Sequence, residues 1–338
     1  MSMFFDGTHI KPSARVRSKI DMGAPSRLSN TYSGKLEIGL VNNMPDAALL
    51  STERQFQGLV ETASSGRVKL KLFHLPDVPR GEEARGILQQ RYHTIDELYR
   101  KPVDALIVTG NEPRAKKLDM EPYWPAMATL IDWARDNTLS TIWSCLAAHA
   151  AVLHLDKIER HPLAVKRSGV YACAVNDQSE TLANLPAQLF VCHSRMNEVR
   201  GDDLCAHGYN IISESAGGHI DAFGKSFRSK FLFLQGHPEY DKDSLMREYR
   251  RDVGRYLDGQ RDIYPALPEN YFDAETLQRM ELFQQRAVAN RDKALYAKFP
   301  ETEVRQGLAR KLKASADTIY RNWLAATEMA AAGLTSRS

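Results

Sequence analysis

The sequence predicts an α/β protein built around a mostly parallel sheet. Two observations lead to this fold class: apolar, β-branched segments alternate with helical segments through the first half of the chain, and they recur at the spacing of βαβ units. Loops follow several of the apolar segments, and ligands of such sheets bind at the carboxyl ends of the strands.

The first half of the chain contains four predicted strands, each an apolar or alternating segment bounded by turn residues. They occupy residues 36–41, 68–73, 103–109 and 139–144, and helices are expected over 47–63, 82–99, 123–135 and 146–155. The loops after Val41, Thr109 and Ser144 each follow a strand, so we expect them to form the walls of a ligand site.

The second half changes character, because its predicted strands are short and separated by turns. They lie at 169–172, 188–191, 209–213 and 219–223, and a stronger strand at 229–235 ends in Gly236-His237-Pro238-Glu239. Helices are expected at 244–257, 274–297 and 301–329. The predicted organisation is an irregular N-terminal arm over residues 1–34, an α/β domain over 35–258 and a helical C-terminal extension over 259–338.

Composition is typical of a soluble globular enzyme. The chain has 338 residues, of which 43% are hydrophobic and 26% charged, and its net charge is +3. This balance argues against a nucleic-acid partner, and no apolar run is long enough to span a membrane. The four cysteines form neither a disulfide framework nor a C-x-x-C pair, so a cytoplasmic location is expected.

Cys145 lies at the junction between a buried strand and an Ala- and Leu-rich helix. A thiol on such a turn is exposed at the edge of the sheet, its thiolate is favoured by the helix N-terminus, and backbone N–H groups can stabilise an oxyanion there. With serine, this arrangement is a nucleophile elbow. A free cysteine is commonly a buried small hydrophobe, so the junction alone leaves both interpretations open.

A base and an orienting acid follow at the end of another predicted core strand. His237 comes directly after the strand at 229–235, and the carboxyl ends of neighbouring parallel strands bring side chains within hydrogen-bond distance. Glu239 is two residues further on, close enough to fix the tautomer of the imidazole. The order Cys145, His237, Glu239 is therefore a more specific signal for nucleophilic catalysis than any one of these residues.

These residues resemble the class I glutamine amidotransferases and, more closely, the homoserine O-acyltransferases, the succinyl- and acetyl-transferring enzymes of that flavodoxin-like fold. Further motifs occur in the family's order: Asn43-Met-Pro45, Val108-Thr-Gly110, Tyr123-Trp124, Ser140-Thr-Ile-Trp-Ser-Cys145, Lys166-Arg-Ser-Gly-Val-Tyr171, His193-Ser-Arg195, Gly236-His-Pro-Glu-Tyr-Asp241, Glu248-Tyr-Arg-Arg-Asp252 and Asn270-Tyr-Phe272. The resemblance covers residues 36–272. It implies a class I amidotransferase-like domain and a homodimer.

The resemblance also implies catalytic roles. Cys145 would accept the acyl group, His237 would be the general base, Glu239 would orient the base, and the N–H of Leu146 would stabilise the oxyanion. The implied reaction is ping-pong: an acyl-CoA acylates Cys145, CoA leaves, and the hydroxyl of L-homoserine then takes the acyl group. Acyl-CoA is thus a co-substrate, and no bound cofactor is expected. The product would serve methionine synthesis.

Three further residues match positions that line the family's substrate pocket. Lys166 and Ser194 would contact the substrate, and Arg251 would bind the carboxylate of the amino acid, for which a planar bidentate donor is suited. Serine and homoserine differ by one methylene, which provides only about 1–3 kcal/mol of discrimination, so another hydroxy amino acid such as serine stays open as acceptor.

The sequence departs from the family pattern near the expected site. Where the family has Met-Pro-Lys-Lys-x-Glu-Thr-Glu, this chain has Met44-Pro-Asp46-Ala47-Ala-Leu-Leu-Ser-Thr-Glu53, so the lysine pair is missing. Arg114 stands where succinyl enzymes have glycine and acetyl enzymes have glutamate. A guanidinium there could pair with the free carboxylate of a succinyl group, which favours succinyl-CoA over acetyl-CoA as donor. Alternatively, Arg114 points to solvent or to the phosphates of CoA.

Two rival functions stay open besides acetyl transfer. One is glutamine hydrolysis, against which the family-type Lys166 and Arg251 argue, and the other is a catalytically silent homologue that has kept the fold. The other three cysteines are expected to be buried thiols, and His149 and His193 to be structural. No metal site is expected, because no His, Cys or Asp spacing gives a compact ligand set.

Overall fold

The structure is a computed structural model that describes residues 36–176, 182, 185–300 and 306–335. The predicted N-terminal arm over 1–34 lies outside these residues. Within them, ten strands form one sheet: β1 Ile38–Val41, β2 Leu70–His74, β3 His93–Thr94, β4 Ala105–Thr109, β5 Ser140–Ser144, β6 His161–Val175, β7 Gln188–Glu198, β8 Asn210–Ser215, β9 His219–Ser226 and β10 Lys230–Leu234.

Helices connect the strands and cover the faces of the sheet. They are α1 Asp46–Ala63, α2 Glu82–Arg91, α3 Ile95–Arg100, α4 Trp124–Asn137, α5 Leu146–Asp156, α6 Gly201–Ala206, α7 Ser244–Leu257, α8 Ala274–Ala289 and α9 Gln306–Thr335. Short 3₁₀ helices occur at Leu118–Met120 and Lys293–Lys298. In the described part of the chain, no helix is both long enough and apolar enough to cross a membrane.

The strands are arranged in the order β3-β2-β1-β4-β5-β10-β9-β8-β6-β7. From β3 to β10 all neighbours are parallel, because helical crossovers return the chain to the same end of the sheet. From β10 to β7 the neighbours are antiparallel, and short connections without helices join β8 to β9 and β9 to β10. The predicted mixed α/β fold is confirmed, and β5 and β10 lie side by side at the centre.

Helices bury both faces of this sheet. Along β10, Phe231 and Phe233 point into a core shared with α4 and α5, whereas Leu232 and Leu234 point into a core shared with α1 and α9. Trp323 of α9 is fully buried and donates a hydrogen bond from Nε1 to Ser140 Oγ at 2.8 Å. The last helix of the C-terminal extension is therefore part of the core that supports β5.

The sequence predicted several boundaries wrongly. The expected helix over 82–99 is two helices, because Thr94 forms a capping box with Glu97 that starts α3. The expected helix over 274–297 ends at Ala289. The expected short strands at 169–172 and 188–191 are parts of the long hairpin β6–β7, and the helices at Leu118–Met120 and Gly201–Ala206 were not predicted.

Candidate active site

Cys145 occupies a strained turn between β5 and α5. Its φ of 52° and ψ of −112° lie outside the regions that L-residues normally adopt. The Cys145 N–H donates to Leu234 O at 2.7 Å, and the Cys145 carbonyl accepts from Ala148 N at 3.0 Å as the first helical turn begins. The residue is therefore anchored to β10 on one side and to α5 on the other, with the thiol only partly buried.

His237 lies beside Cys145 because β5 and β10 are parallel neighbours, with Ser144 opposite Leu234. The imidazole is within hydrogen-bond distance of the Cys145 thiol, and its Nδ1 lies 2.8 Å from Glu239 Oε1. Both His237 and Glu239 are buried. The structure thus brings the three predicted catalytic residues together in the order thiol, imidazole, carboxylate.

The chain around His237 is fixed by backbone contacts and by stacking. The His237 N–H donates to Cys192 O at 2.7 Å, and the ring of Tyr240 stacks on the imidazole with centroids 4.2 Å apart and planes at 21°. A Cβ on the preceding Gly236 would lie 2.5 Å from Asp221 Oδ1. Glycine is therefore required for the loop to pass this close to β9.

The pKa of His237 is raised well above its ordinary value of 6.5. Burial by itself lowers this pKa, but the charges of Cys145 and Glu239, with hydrogen bonds to both, raise it by more. The site therefore favours an imidazolium. That form can pair with a thiolate and can donate a proton to a leaving group.

Leu146 is the first residue of α5, so its N–H has no partner within the helix. Gly110, at the end of β4, packs directly against it: a Cβ there would lie 2.4 Å from Leu146 Cβ and 3.0 Å from Ala147 N. The loop after β4 can approach the start of α5 this closely only because residue 110 is glycine. This arrangement is suited to an oxyanion site at the Leu146 N–H, and that role stays a prediction.

An arginine paired with an aspartate lies near the position of the missing lysines. Asp46 accepts from Gly81 N at 2.7 Å and from Arg80 Nη1 at 3.2 Å. The Arg80 guanidinium also donates to Met44 O, and to Asn42 O at 3.3 Å, and its side chain is only 5% exposed. Burial lowers the pKa of Arg80, and Asp46 partly offsets this. The loop after β1 therefore keeps a buried positive charge that comes from a different part of the sequence.

Lys166, Ser194 and Arg251 lie together around two acidic residues of α7. Lys166 Nζ donates to Asp252 Oδ2 at 3.0 Å, and Arg251 Nη2 donates to Asp252 Oδ1 at 3.0 Å. Ser194 Oγ donates to Glu248 Oε2, which lies 4.0 Å from Lys166 Nζ. The Arg251 side chain is 44% exposed and so keeps a free face for a ligand.

Tyr240 links this pocket to the catalytic residues. Its hydroxyl donates to Glu248 Oε1 at 2.7 Å while its ring stacks on His237. Asp252 is held ionised: burial raises its pKa, but Lys166 and Arg251 lower it by more. Tyr240, Glu248 and Asp252 were not predicted individually as site residues, although all three lie within motifs that resemble those of the family.

Arg114 is separate from both groups. It is exposed in the loop after β4, and its backbone N–H donates to Glu121 Oε1 at 2.6 Å. The Ala115 N–H donates to the same oxygen at 2.7 Å, so the buried Glu121 holds this loop in place. Recognition of the acyl group by Arg114 stays a prediction.

His149, Cys173 and Cys192 are buried, whereas Cys205 is not. His149 Nε2 lies 2.9 Å from Gln235 Oε1, and burial lowers the pKa of His149 to about 3. Cys173 and Cys192 are buried as predicted, but Cys205 is exposed, because it lies on the surface helix α6, which was not predicted.

Cys173, His193 and Asp221 form a buried group whose ligand atoms lie within 4.8 Å of one another, close enough to hold a cation. The surroundings of His193 argue against one. Arg195 Nη1 lies 2.8 Å from Nδ1, and a guanidinium can only donate, so Nε2 carries the proton and faces Asp221 Oδ1 at 3.2 Å. If Nε2 bound a metal, Nδ1 would carry the proton and would need an acceptor, but Nδ1 faces the Arg195 guanidinium, which is a donor. The absence of a metal site stays a prediction.

Comparison with known proteins gives one consistent family. The family model described as homoserine O-succinyltransferase matches residues 17–331. A homoserine O-succinyltransferase of Rhodopseudomonas palustris is 46% identical over 326 residues, covering 96% of this chain and 98% of that protein. One from Methylorubrum extorquens is 45% identical over 325 residues, covering 96% of this chain and 97% of that protein.

Solved structures resemble this chain in fold. A glutamine amidotransferase from Thermotoga maritima has a TM-score of 0.50 and 11% identity, covering 87% of this chain and 98% of that one. A glutamine amidotransferase from Methylobacillus flagellatus has a TM-score of 0.50 and 14% identity, covering 86% and 95%. At these identities the likeness concerns the fold alone, and it confirms the predicted class I amidotransferase-like architecture.

Proposed function

Because the chain belongs to the homoserine O-succinyltransferase family, we propose that it transfers a succinyl group from succinyl-CoA to the hydroxyl of L-homoserine, in methionine synthesis. The observation that carries the proposal is the Cys145–His237–Glu239 array at the carboxyl edge of the sheet, beside a pocket with cationic and anionic side chains. The resident groups needed are side chains and backbone, with acyl-CoA as co-substrate and no other cofactor.

In the first half-reaction, the Cys145 sulfur attacks the thioester carbonyl carbon of succinyl-CoA. The carbonyl oxygen gains the negative charge and accepts from the Leu146 N–H at the start of α5. As the carbonyl reforms, the bond to the CoA sulfur breaks, and the imidazolium of His237 donates its proton to that sulfur. The raised pKa of His237 supports this role, because the proton is present when the leaving group needs it.

In the second half-reaction, His237 acts as the base. It takes the proton of the acceptor hydroxyl while the hydroxyl oxygen attacks the thioester on Cys145. When the second tetrahedral intermediate collapses, the ester forms and Cys145 leaves as a thiolate paired with the His237 imidazolium. The enzyme is thereby returned to its starting protonation state.

The pocket beside His237 has the charges that an amino acid acceptor requires. Arg251 and Lys166 are cations for its carboxylate. Glu248 is an anion for its ammonium group and also contacts Ser194 and Tyr240. Because Tyr240 stacks on His237, a ligand held at Glu248 lies next to the base.

The alternatives are acetyl-CoA as donor, serine as acceptor, glutamine hydrolysis and a silent homologue. The cationic pocket formed by Lys166 and Arg251 favours an acceptor with a free carboxylate over water as acceptor. We also propose a homodimer, on the family resemblance alone.

Intact-mass spectrometry after brief mixing with succinyl-CoA or acetyl-CoA, without acceptor, tests the proposal. We expect a succinyl adduct on the wild type and on Cys205→Ser, which removes an exposed thiol outside the site. Cys145→Ala should form none, and L-homoserine should discharge the adduct faster than serine does. An acetyl adduct alone would contradict the donor, and no adduct from either donor would contradict the mechanism.

A further inference from the structure

A half-buried arginine without a partner lies close to the nucleophile. Arg160 follows α5 and precedes β6, and it makes no hydrogen bond or ion pair with any residue that the structure describes. The chain reverses at Lys157, whose φ is 59°, and the Ile158 N–H donates to Val152 O at 3.3 Å. The buried Ile158 then packs in the core that contains Tyr123 and Leu146.

The Arg160 guanidinium interacts electrostatically with groups from two parts of the chain. Its charge interacts with Cys145, Glu121 and Tyr123 and also with His149. Two of these residues belong to the start of α5, and two belong to the loop that joins β4 to α4. Lys117 Nζ of that loop lies 3.5 Å from Oε1 of the neighbouring Glu159, so the chain at Arg160 lies beside the loop, and its charge acts on both the loop and the nucleophile.

A second unpartnered polar group lies at the same place. The Tyr123 side chain is buried, and its hydroxyl has no hydrogen-bond partner among the described residues. Glu121 is an acid whose charge interacts with Arg160, but one of its oxygens already accepts the N–H groups of Arg114 and Ala115. A buried hydroxyl and a cation without a paired anion are the surroundings that an incoming carboxylate requires.

Other arginines near the site are already paired or more exposed. The charge of Arg195 also reaches Cys145, but its Nη1 is 2.8 Å from His193 Nδ1 and its Nη2 is 3.5 Å from Glu198. Arg114 is exposed, so its interaction with a carboxylate would be weakened by solvent. Arg160 is the arginine whose charge is both shielded from water and available to a ligand.

We propose that Arg160 and Tyr123 bind the terminal carboxylate of the acyl group that Cys145 carries, so that they select a dicarboxylic acyl donor. This inference rests on the proposed acyl transfer. It assigns the discrimination between succinyl and acetyl groups to a half-buried cation after α5 rather than to the exposed Arg114.

The rates at which succinyl-CoA and acetyl-CoA acylate Cys145, measured by rapid quench and intact mass, test this assignment. Arg160→Met should lower the succinyl rate about ten- to a hundredfold, the range for loss of a charge-assisted hydrogen bond, and leave the acetyl rate unchanged. Arg160→Lys should recover part of the loss. The matched variant Arg114→Met should change the succinyl rate less than Arg160→Met does.

The two donors carry the same CoA, so an arginine that contacted the CoA phosphates would lower both rates equally, and that outcome would overturn the proposal. An unchanged succinyl rate in Arg160→Met would also overturn it. Tyr123→Phe, which only removes the unpartnered hydroxyl, should lower the succinyl rate alone by a smaller factor. If Arg160→Met fails to fold, Tyr123→Phe provides the test instead. An equal decrease of the acylation rates with both donors in Tyr123→Phe would then overturn the assignment. A wild type that neither donor acylates would overturn the proposed function and this inference together.

Discussion

Glu239→Gln should separate the charge of the orienting acid from its hydrogen bond. Glu239 Oε1 lies 2.8 Å from His237 Nδ1, and both side chains are buried, so little solvent screens the interaction. Two unit charges roughly 4 Å apart interact by about 4 kcal/mol at an effective dielectric constant of 20. The amide keeps an acceptor oxygen for Nδ1–H, so we expect the imidazolium to lose about 1–4 kcal/mol of stabilisation and the pKa of His237 to fall.

The expected pH dependence of Cys145 reactivity follows from the raised pKa of His237. Because its pKa is raised in the folded protein, His237 keeps its proton as the pH rises, and the Cys145 thiolate can form beside an imidazolium. In Glu239→Gln the imidazole loses its proton earlier, and the thiolate then forms without a cation beside it. The pH midpoint for alkylation of Cys145 should therefore be higher in Glu239→Gln than in the wild type.

Iodoacetamide alkylation across pH, read out on the peptide that contains Cys145, measures this midpoint. The peptide readout is necessary because Cys205 is exposed and will also react. Asp243→Asn is a matched control: it removes an exposed carboxylate whose ion pair is with Lys242, and it should leave the midpoint unchanged. A midpoint in Glu239→Gln equal to that of the wild type would refute the assignment of Glu239 as the charge that supports His237.

Three further outcomes follow from the structure. Gly236→Ala should lower the melting temperature by several degrees in calorimetry, because its Cβ would lie 2.5 Å from Asp221 Oδ1. Such overlaps destabilise a protein by roughly 1–3 kcal/mol. The control Gly58→Ala, whose Cβ would have nothing within 4 Å, should leave the melting temperature unchanged. Acylation of the wild type should persist above pH 6.5 and decline only as His237 loses its proton; a decline centred on the ordinary histidine pKa in single-turnover rates would contradict this. Arg251→Lys should leave acylation of Cys145 unchanged but slow discharge of the acyl group by L-homoserine about ten- to a hundredfold, because lysine cannot make a bidentate contact with the carboxylate of the acceptor. Slower acylation in rapid-quench experiments would argue against the assignment of Arg251 to acceptor binding.

Local patterns in the sequence predicted the elements around the site. Apolar strands before Cys145 and His237 are visible because burial on both faces of a parallel sheet demands continuous apolar runs. The ends of helices and strands that depend on capping or on pairing with distant strands were predicted less accurately. α2 ends at Arg91, and Thr94 starts α3 through a capping box. β6 continues to Val175 because β7 and β8 pair with it.

The sequence by itself determined the α/β class, the position of the thiol at a strand–helix junction, and the base and acid two residues apart, because these depend on local periodicity and spacing. The tertiary structure decided which strands are neighbours, and therefore that β10 carries His237 to Cys145. Among the described residues, it leaves Arg160 without a hydrogen-bond or ion-pair partner. It also decided that Tyr240 joins His237 to Glu248 and that Arg80 provides the buried charge beside Asp46. These contacts join residues far apart in the chain, and no periodic pattern encodes them, because they arise only when the packed elements fix the distances between side chains.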